Sequence, residues 1–131
     1  VSPATCLRRV KRLHVLGLIE RTVSILNADA LRPWLGAGLT AIVEVTLEQQ
    51  SAEQQAAFEA RAVADAAVQQ CYRTSPGPDF VLIATVADMP AFMAFTQRLL
   101  TQDANVRNVR SFFSLQRAKF SVELPLQSGD A

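Results

Sequence analysis

The fold is decided by the stretch Val68-Gln-Gln-Cys-Tyr-Arg-Thr-Ser-Pro-Gly-Pro-Asp-Phe-Val-Leu-Ile-Ala-Thr-Val86. It contains two segments with the composition of strands, Val68–Ser75 and Phe80–Val86, on either side of the turn former Ser75-Pro-Gly-Pro-Asp79. Two strands joined by such a short turn pair as an antiparallel hairpin. The sequence therefore predicts a hairpin at the centre of a domain that the flanking segments complete.

The segments on both sides of this hairpin have matching strand and helix patterns. On the N-terminal side, Ala41–Glu48 alternates apolar and polar residues as a half-buried strand does. A helix follows it, because Ser51 and Gln54 have the spacing of a capping box. On the C-terminal side, Asp88 is placed to cap a second helix, and Val109–Phe120 is predicted as a long final strand.

The order β-α-β-β-α-β predicts an α+β domain of the ferredoxin-like type, spanning residues 40–126 and followed by a tail at 127–131. This fold has one antiparallel four-stranded sheet with both helices on one face. The second face has no cover in a single chain, and its apolar strand residues need one. We therefore expect a homodimer in which the two sheets face each other.

Composition limits the class of protein. The 131 residues suffice for one full domain and a fragment of a second. Half are hydrophobic, 19% are charged and the net charge is +1, as in soluble globular proteins. The apolar runs are too short to cross a bilayer, so no membrane association is expected. Cys6 and Cys71 form no motif, which favours a reducing, cytoplasmic location.

The first segment is predicted to be a helix. Ser2 supplies a capping hydroxyl, Pro3 suits the first helical position, and Gly17 is placed to end the helix. A narrow apolar stripe follows Cys6, Val10 and Leu13. The opposite face is small, polar and cationic, and such a face fits the major groove of DNA. The candidate DNA contacts are Ser2, Thr5, Arg8, Arg9, Lys11 and Arg12. The alternative is a solvated surface helix with clustered charges.

The residues after this helix predict a boundary between two domains. Leu18–Leu26 has the composition of two short strands, which would form a small wing, so residues 1–26 are predicted to be the C-terminal part of a winged helix-turn-helix. Residues 27–39 contain several chain breakers and are predicted to be a linker that docks through Leu31, Trp34 and Leu35. Trp34 is expected to be a packing anchor, with ligand stacking as the alternative.

The first segment also resembles a known family. The pattern Ser-Pro-x-x-Cys-Leu-x-Arg-Val-x-Arg-Leu at residues 2–13, followed by Gly17-Leu-Ile19, is similar to the recognition helix of the Lrp/AsnC family (leucine-responsive, feast/famine) of transcription regulators. The likeness continues to Leu126. The resemblance implies DNA as a partner of the complete protein, an amino-acid effector bound between subunits, and dimers that assemble further into ring-like octamers.

The turn at residues 75–79 is the first candidate wall of the effector site. Gly77 permits a positive φ and close approach to a ligand, and Asp79 can accept hydrogen bonds from an ammonium group. The family's turn is approximately Ser-Gly-Asp-x-Asp-(Tyr/Phe), which Ser75, Asp79 and Phe80 match. Gly77-Pro78 departs from it, which leaves the ligand's identity and the response open. The alternative is a rigid hairpin in which Asp79 bonds its own turn.

The final strand supplies the second candidate wall, which by resemblance consists of Ser111, Phe113, Ser114 and Gln116. Alternation along a strand places Ser111 and Phe113 on one face and the other two on the opposite face. One subunit therefore cannot present all four to one pocket, and a site between subunits or a twist at the sheet edge is needed. The alternative for Phe112 and Phe113 is packing in the core or in the dimer.

The sequence contains no recognisable catalytic constellation. The single histidine, His14, lies on the first helix, and the common metal, nucleotide and nucleophile motifs are absent. We therefore predict no enzyme activity, no catalytic residue, no metal and no cofactor. The leading hypothesis is a transcription regulator of the Lrp/AsnC type. The alternatives are a stand-alone amino-acid-binding oligomerisation module, should the protein begin at Val1, and, less favoured, an enzyme on the same fold.

Overall fold

The computed structural model describes residues 2–36 and 38–127. The chain forms two compact units, Val1–Leu31 and Arg32–Ala131. Of the predicted C-terminal tail, only Gln127 is within the described residues.

The first unit contains one helix, α1, at Pro3–Val15. It begins as predicted, because the Ser2 hydroxyl accepts a hydrogen bond from the Thr5 backbone N–H at 3.2 Å and Pro3 occupies the first turn. It also ends as predicted, with Gly17 at a φ of +76°. The apolar stripe of α1 is not covered within the described residues, since none of its residues is buried.

The two short strands predicted for the wing are not present in the structure. Leu18–Leu26 contains no helix or strand, and the side chains of Leu18, Val23 and Ile25 are exposed. A two-stranded ribbon is marginal without a third strand or a helix to pack on, so strand composition alone does not produce one here.

The predicted linker, residues 27–39, contains a short helix, α2, at Arg32–Leu35. The expectation that Trp34 anchors this segment is wrong, because its side chain is 78% exposed. Leu35 is also exposed, whereas Leu31 is half-buried. A single helical turn directs its side chains in several directions, so an apolar residue in it is not bound to reach a core.

The second unit has the predicted ferredoxin-like fold. Its elements are β1 (Leu39–Leu47), α3 (Ala52–Ala64), β2 (Val68–Arg73), β3 (Phe80–Val86), α4 (Met89–Thr96) continued by a π-helical turn (Gln97–Thr101), and β4 (Val106–Phe113). The four strands form one sheet in the order β2-β3-β1-β4, and all neighbours are antiparallel. The Ser51 hydroxyl and the Asp88 carboxylate cap α3 and α4, as their sequence positions predicted.

The core lies between the sheet and the two helices. From Ala41 to Leu47 every second residue of β1 is fully buried, as the alternation predicted, and the buried side chains of β3 lie beside them. Phe58 from α3 contacts Phe80 from β3, with ring centroids 4.9 Å apart. Helix α4 and its π-helical turn add Phe92, Phe95, Leu99 and Leu100. The helices therefore cover one face of the sheet and leave the other face without a helix.

The final strand is shorter than predicted. It ends at Phe113, where the sequence predicted strand structure as far as Phe120. Beyond it, the Ser114 N–H donates to the Thr40 carbonyl oxygen at 2.9 Å, and no helix or strand follows up to residue 127. Because Phe113 pairs with Ala41, only Thr40 and Leu39 of β1 remain opposite the following residues, so β1 offers no strand partner beyond Leu115.

Candidate functional site

The hairpin turn between β2 and β3 is closed by Thr74 and Asp79. The Thr74 N–H donates to the Asp79 carbonyl oxygen at 3.0 Å, and the Thr74 hydroxyl donates to the Pro78 carbonyl oxygen at 2.6 Å. Gly77 has a φ of +110°, a value that side-chain-bearing residues rarely adopt, so the prediction of a positive φ there is confirmed. The Ser75–Pro76 peptide bond is cis. Ser75 and Gly77 are exposed at the tip of the turn.

Asp79 connects the turn to the end of β1. Its Oδ2 accepts a hydrogen bond from the Leu47 N–H at 2.7 Å and one from the Gln50 side-chain amide at 3.2 Å. The Leu47 N–H lies beyond the last β1–β3 pair, Val45–Phe80, so the carboxylate extends the sheet by one bond. The bonds therefore reach another strand, and the idea that this side chain bonds its own turn is wrong.

Gln50 is a residue that the sequence did not single out. Its contact with Asp79 joins residues 29 positions apart, and no local pattern announces such a pair. Within the described residues, both hydrogen bonds to the Asp79 carboxylate use Oδ2. A ligand ammonium group could therefore approach through Oδ1 without displacing the bonds that hold the side chain.

The second candidate wall is divided between β4 and the chain that follows it. Ser111 and Phe113 share one face of β4, as predicted, and Phe113 packs against Phe92 of α4 with ring centroids 4.8 Å apart. The Phe113 side chain is still 40% exposed, so it can contact a ligand while it packs against Phe92. Ser114 and Gln116 lie beyond the strand, so their predicted position on its opposite face is wrong.

The two candidate walls lie at opposite ends of the sheet in one chain. Phe80, next to the turn, pairs with Val45, whereas Phe113 pairs with Ala41. Ala41 and Val45 are four residue steps apart on β1, which corresponds to about 13 Å along the strand. One chain therefore does not bring Asp79 together with Phe113, and a small ligand that touches both walls would need a second copy.

The sheet face opposite the helices is partly apolar, and we call it the open face. It includes residues that alternate with the core residues or pair across the strands with residues that do: Ile42, Glu44, Tyr72, Val81, Ile83, Arg110 and Phe112, with polar residues such as Thr40, Thr46 and Thr85 beside them. The side chains of Ile42, Tyr72 and Phe112 are 37%, 53% and 43% exposed. Apolar side chains grouped on a sheet in this way are typical of a protein interface.

The open face also carries one pair of opposite charges. Glu44 on β1 lies across from Arg110 on β4, and the nearest nitrogen–oxygen distance is 3.9 Å. The Arg110 guanidinium lies 5.2 Å from the centroid of the Phe112 ring. Phe112 therefore packs on this face and not in the core.

Helix α1 presents the candidate DNA contacts in two groups. Ser2 and Thr5 are part of the cap, because their hydroxyl oxygens are 2.9 Å apart, and Arg8 donates to the Thr5 hydroxyl at 3.5 Å. Arg9, Lys11 and Arg12 are exposed. The helix thus holds a cationic surface next to a structured N-terminus.

Comparison with known proteins identifies the family. A sequence model of the Lrp/AsnC ligand binding domain matches residues 40–124. The chain belongs to the Lrp/AsnC family. It is 32% identical over 127 residues to an uncharacterized HTH-type transcriptional regulator from Sinorhizobium fredii, covering 97% of this chain and 73% of the relative.

Two further relatives place this Lrp/AsnC chain among transcription regulators. It is 31% identical to a leucine-responsive regulatory protein from Rhizobium meliloti, with 96% of this chain and 78% of the relative covered. A transcriptional regulator from Neisseria meningitidis, solved as a complex with L-Met, superposes with a TM-score of 0.80 at 28% identity, covering 95% of this chain and 78% of that one. The resemblance stated from the sequence is confirmed.

The helix side of this Lrp/AsnC domain has a shallow depression of about 300 Å³, lined by Arg61, Ala64, Asp65, Arg98 and Leu99. Both guanidinium groups there have carboxylate partners: Arg61 pairs with Asp103, and Arg98 donates two hydrogen bonds to Asp65 at 2.7 and 2.8 Å. These bonds from Arg98 lower the pKa of Asp65. The charges of the depression are thus mutually satisfied.

The described residues contain no group of three or more histidine, cysteine or acidic side chains that could hold a metal ion. Burial raises the pKa of the Cys71 thiol, which makes it a poor nucleophile. Among the described helices, none has the length and apolar character to cross a bilayer.

Proposed function

We propose that this protein is a cytoplasmic transcription regulator in which an amino acid binds between copies of the ferredoxin-like domain and alters how DNA-bound dimers are placed. The observation that carries the proposal is the match of residues 40–124 to the Lrp/AsnC ligand binding domain. The solved relative in complex with L-Met supports an amino acid as the class of effector.

The effector site is proposed to lie between subunits. Asp79, Ser75 and Gly77 would form one wall, with the Asp79 carboxylate accepting from the ligand ammonium group. Ser111, Phe113, Ser114 and Gln116 of a second copy would form the other wall. The separation of about 13 Å along β1 between the positions of Phe80, next to the turn, and Phe113 supports this arrangement, because an amino acid is too small to span it.

The assembly is proposed to be a homodimer through the open face, with association into larger rings. The exposed Ile42, Tyr72 and Phe112 support the dimer, because covering them removes apolar surface from water. Helix α1 is proposed to enter the major groove, with Ser2, Thr5, Arg8, Arg9, Lys11 and Arg12 as contacts to phosphates and bases.

Calorimetric titration of the chain with a panel of amino acids that includes L-methionine tests the effector site. Asp79→Asn should weaken binding by about tenfold or more, because a charged hydrogen bond becomes a neutral one. Asp88→Asn is the matched control: it makes the same change at the cap of α4, outside the site, and asparagine also caps helices well. Equal binding by Asp79→Asn and the wild type would refute the role of Asp79.

Binding to DNA is tested by gel shift with the protein and its single-residue variants. Arg8→Ala and Arg12→Ala should each weaken binding and reduce the slope of log affinity against log salt by about 1 if they contact phosphate. Glu20→Ala, outside the helix, should leave the slope unchanged. The absence of DNA binding at moderate salt would favour the stand-alone oligomerisation module.

A further inference from the structure

We propose that Glu44 and Arg110 are the residues by which the open face recognises a second copy of this chain. The inference rests on the dimer put forward above, in which two open faces meet. In that dimer, Glu44 of each copy pairs with Arg110 of the other.

The position of the two charges is the first argument. Glu44 belongs to β1, an inner strand of the sheet, and lies between Val81 of β3 and Arg110 of β4. Ile42, on the same face of β1, is flanked in the same way by Ile83 and Phe112. A carboxylate thus lies next to the apolar Val81 and Ile42, on an inner strand of the surface that would be covered, with the polar Thr46 on its other side. Interface cores are depleted in charged residues, so a charge at such a place needs a reason.

The looseness of the pair within one chain is the second argument. The distance of 3.9 Å between Glu44 and Arg110 is at the long end for an ion pair, and the Arg110 side chain is 66% exposed while that of Glu44 is 29% exposed. By contrast, Arg73 and Glu59 on the helix side approach to 2.9 Å. The guanidinium of Arg110, held over the Phe112 ring, can therefore turn to a carboxylate on another chain without losing a strong bond.

The loss of water from the two charges and the two-fold symmetry of a dimer both favour pairing between copies. Covering the open face takes both charges out of water, and a buried charge without a partner is strongly unfavourable. A two-fold axis presents the same surface to itself, so one negative and one positive group satisfy each other twice in each dimer. A partner with another charge pattern would leave Glu44 with only its loose contact to Arg110 of the same chain. The pair therefore favours a second copy over other proteins with an apolar sheet.

Charge reversal gives a test with a distinctive outcome. The 131-residue chain is prepared as Glu44→Arg, as Arg110→Glu and as the double reversal, and its self-association is measured by sedimentation and native mass spectrometry. Each single variant should dimerise about tenfold or more weakly than the wild type, because like charges then meet twice. Mixing the two single variants should restore association as a heterodimer, since one chain carries two arginines and the other two glutamates. The double reversal should dimerise by itself.

The matched control uses the ion pair on the helix side. Glu59→Arg and Arg73→Glu make the same reversals between α3 and β2, away from the open face, and should neither weaken the dimer nor favour a mixed one. Circular dichroism and thermal unfolding establish that each variant is folded. If Glu44→Arg fails to fold, Arg110→Glu on the edge strand β4 can be tested by itself. The double reversal should then restore the dimerisation that Arg110→Glu weakens.

The failures of the two proposals are distinguishable. If the single reversals dimerise like the wild type, or if mixing them restores nothing, the self-recognition pair is overturned and the dimer stands. If the wild-type chain stays monomeric at every concentration reached, the proposed assembly itself is wrong and this inference is overturned with it. That result would also be expected if the chain's own apolar segment at residues 120–126 covered the open face.

Discussion

Replacing Asp79 by alanine should destabilise the domain even when no ligand is present. The carboxylate accepts the Leu47 N–H at 2.7 Å in a partly buried position, and a hydrogen bond to a charged group contributes about 1.5–3 kcal/mol. The exposed contact with Gln50 adds little, because water replaces it easily. We therefore expect Asp79→Ala to lower the free energy of unfolding by about 2 kcal/mol.

Two further substitutions divide this effect into its parts. Asp79→Asn keeps an oxygen that accepts from Leu47 and loses only the charge, so it should cost about 1 kcal/mol. Gln50→Ala removes only the exposed contact and should cost less than about 0.5 kcal/mol. From the most to the least stable, the expected order is therefore wild type, Gln50→Ala, Asp79→Asn and Asp79→Ala.

Urea unfolding followed by circular dichroism measures these differences, at one protein concentration because assembly also contributes to stability. In a thermal scan, a loss of about 2 kcal/mol lowers the Tm of a domain of this size by about 10 °C. The reasoning is refuted if Asp79→Ala unfolds within about 0.5 kcal/mol of the wild type. In that case the hydrogen bond between Asp79 and Leu47 would stabilise the folded state no more than the hydrogen bonds to water that replace it.

Three other predictions concern the same domain. Phe58→Ala should lower the free energy of unfolding by about 3–5 kcal/mol, because a ring that is 2% exposed leaves a cavity beside Phe80; a loss below about 1.5 kcal/mol in urea would contradict this. Gly77→Ala should cost about 1–2 kcal/mol although no atom beyond the adjacent residues lies within 4 Å of the added carbon, because φ is +110°; a Tm equal to that of the wild type would argue against the strain. The hydrogen bonds from Arg98 lower the pKa of Asp65 below its ordinary value, so the stabilisation from this pair is present above the ordinary pKa and is lost as the pH falls through the lowered one. The stability difference between the wild type and Arg98→Gln, measured by urea unfolding, should therefore disappear in acid, and a constant difference would contradict this.

The elements that the sequence predicted well are those specified by neighbouring residues. Ser2, Ser51 and Asp88 cap the three longer helices because a side-chain oxygen needs only the N–H three residues ahead. The alternation in β1 identified its buried face because side chains on a strand alternate regardless of its neighbours.

The elements that the sequence misjudged depend on distant partners. β4 ends at Phe113, and β1 has no residue to pair with any residue beyond Leu115, which the composition of residues 114–120 does not reveal. Leu18–Leu26 has the composition of strands but forms none, because composition does not supply a partner strand. The anchoring of Asp79 was missed for the same reason: Leu47, which donates to it, lies 32 residues away.

The separation of the two candidate walls has a thermodynamic consequence for regulation. If Asp79 and Phe113 contact one ligand only across two chains, the ligand binds the assembled state and not the isolated chain. Its binding free energy then adds to that of association, and the assembly must in turn raise the affinity for the ligand by the same factor. A regulator built in this way needs no moving part within the domain, because the amino acid acts by selecting the number and placement of the copies that meet.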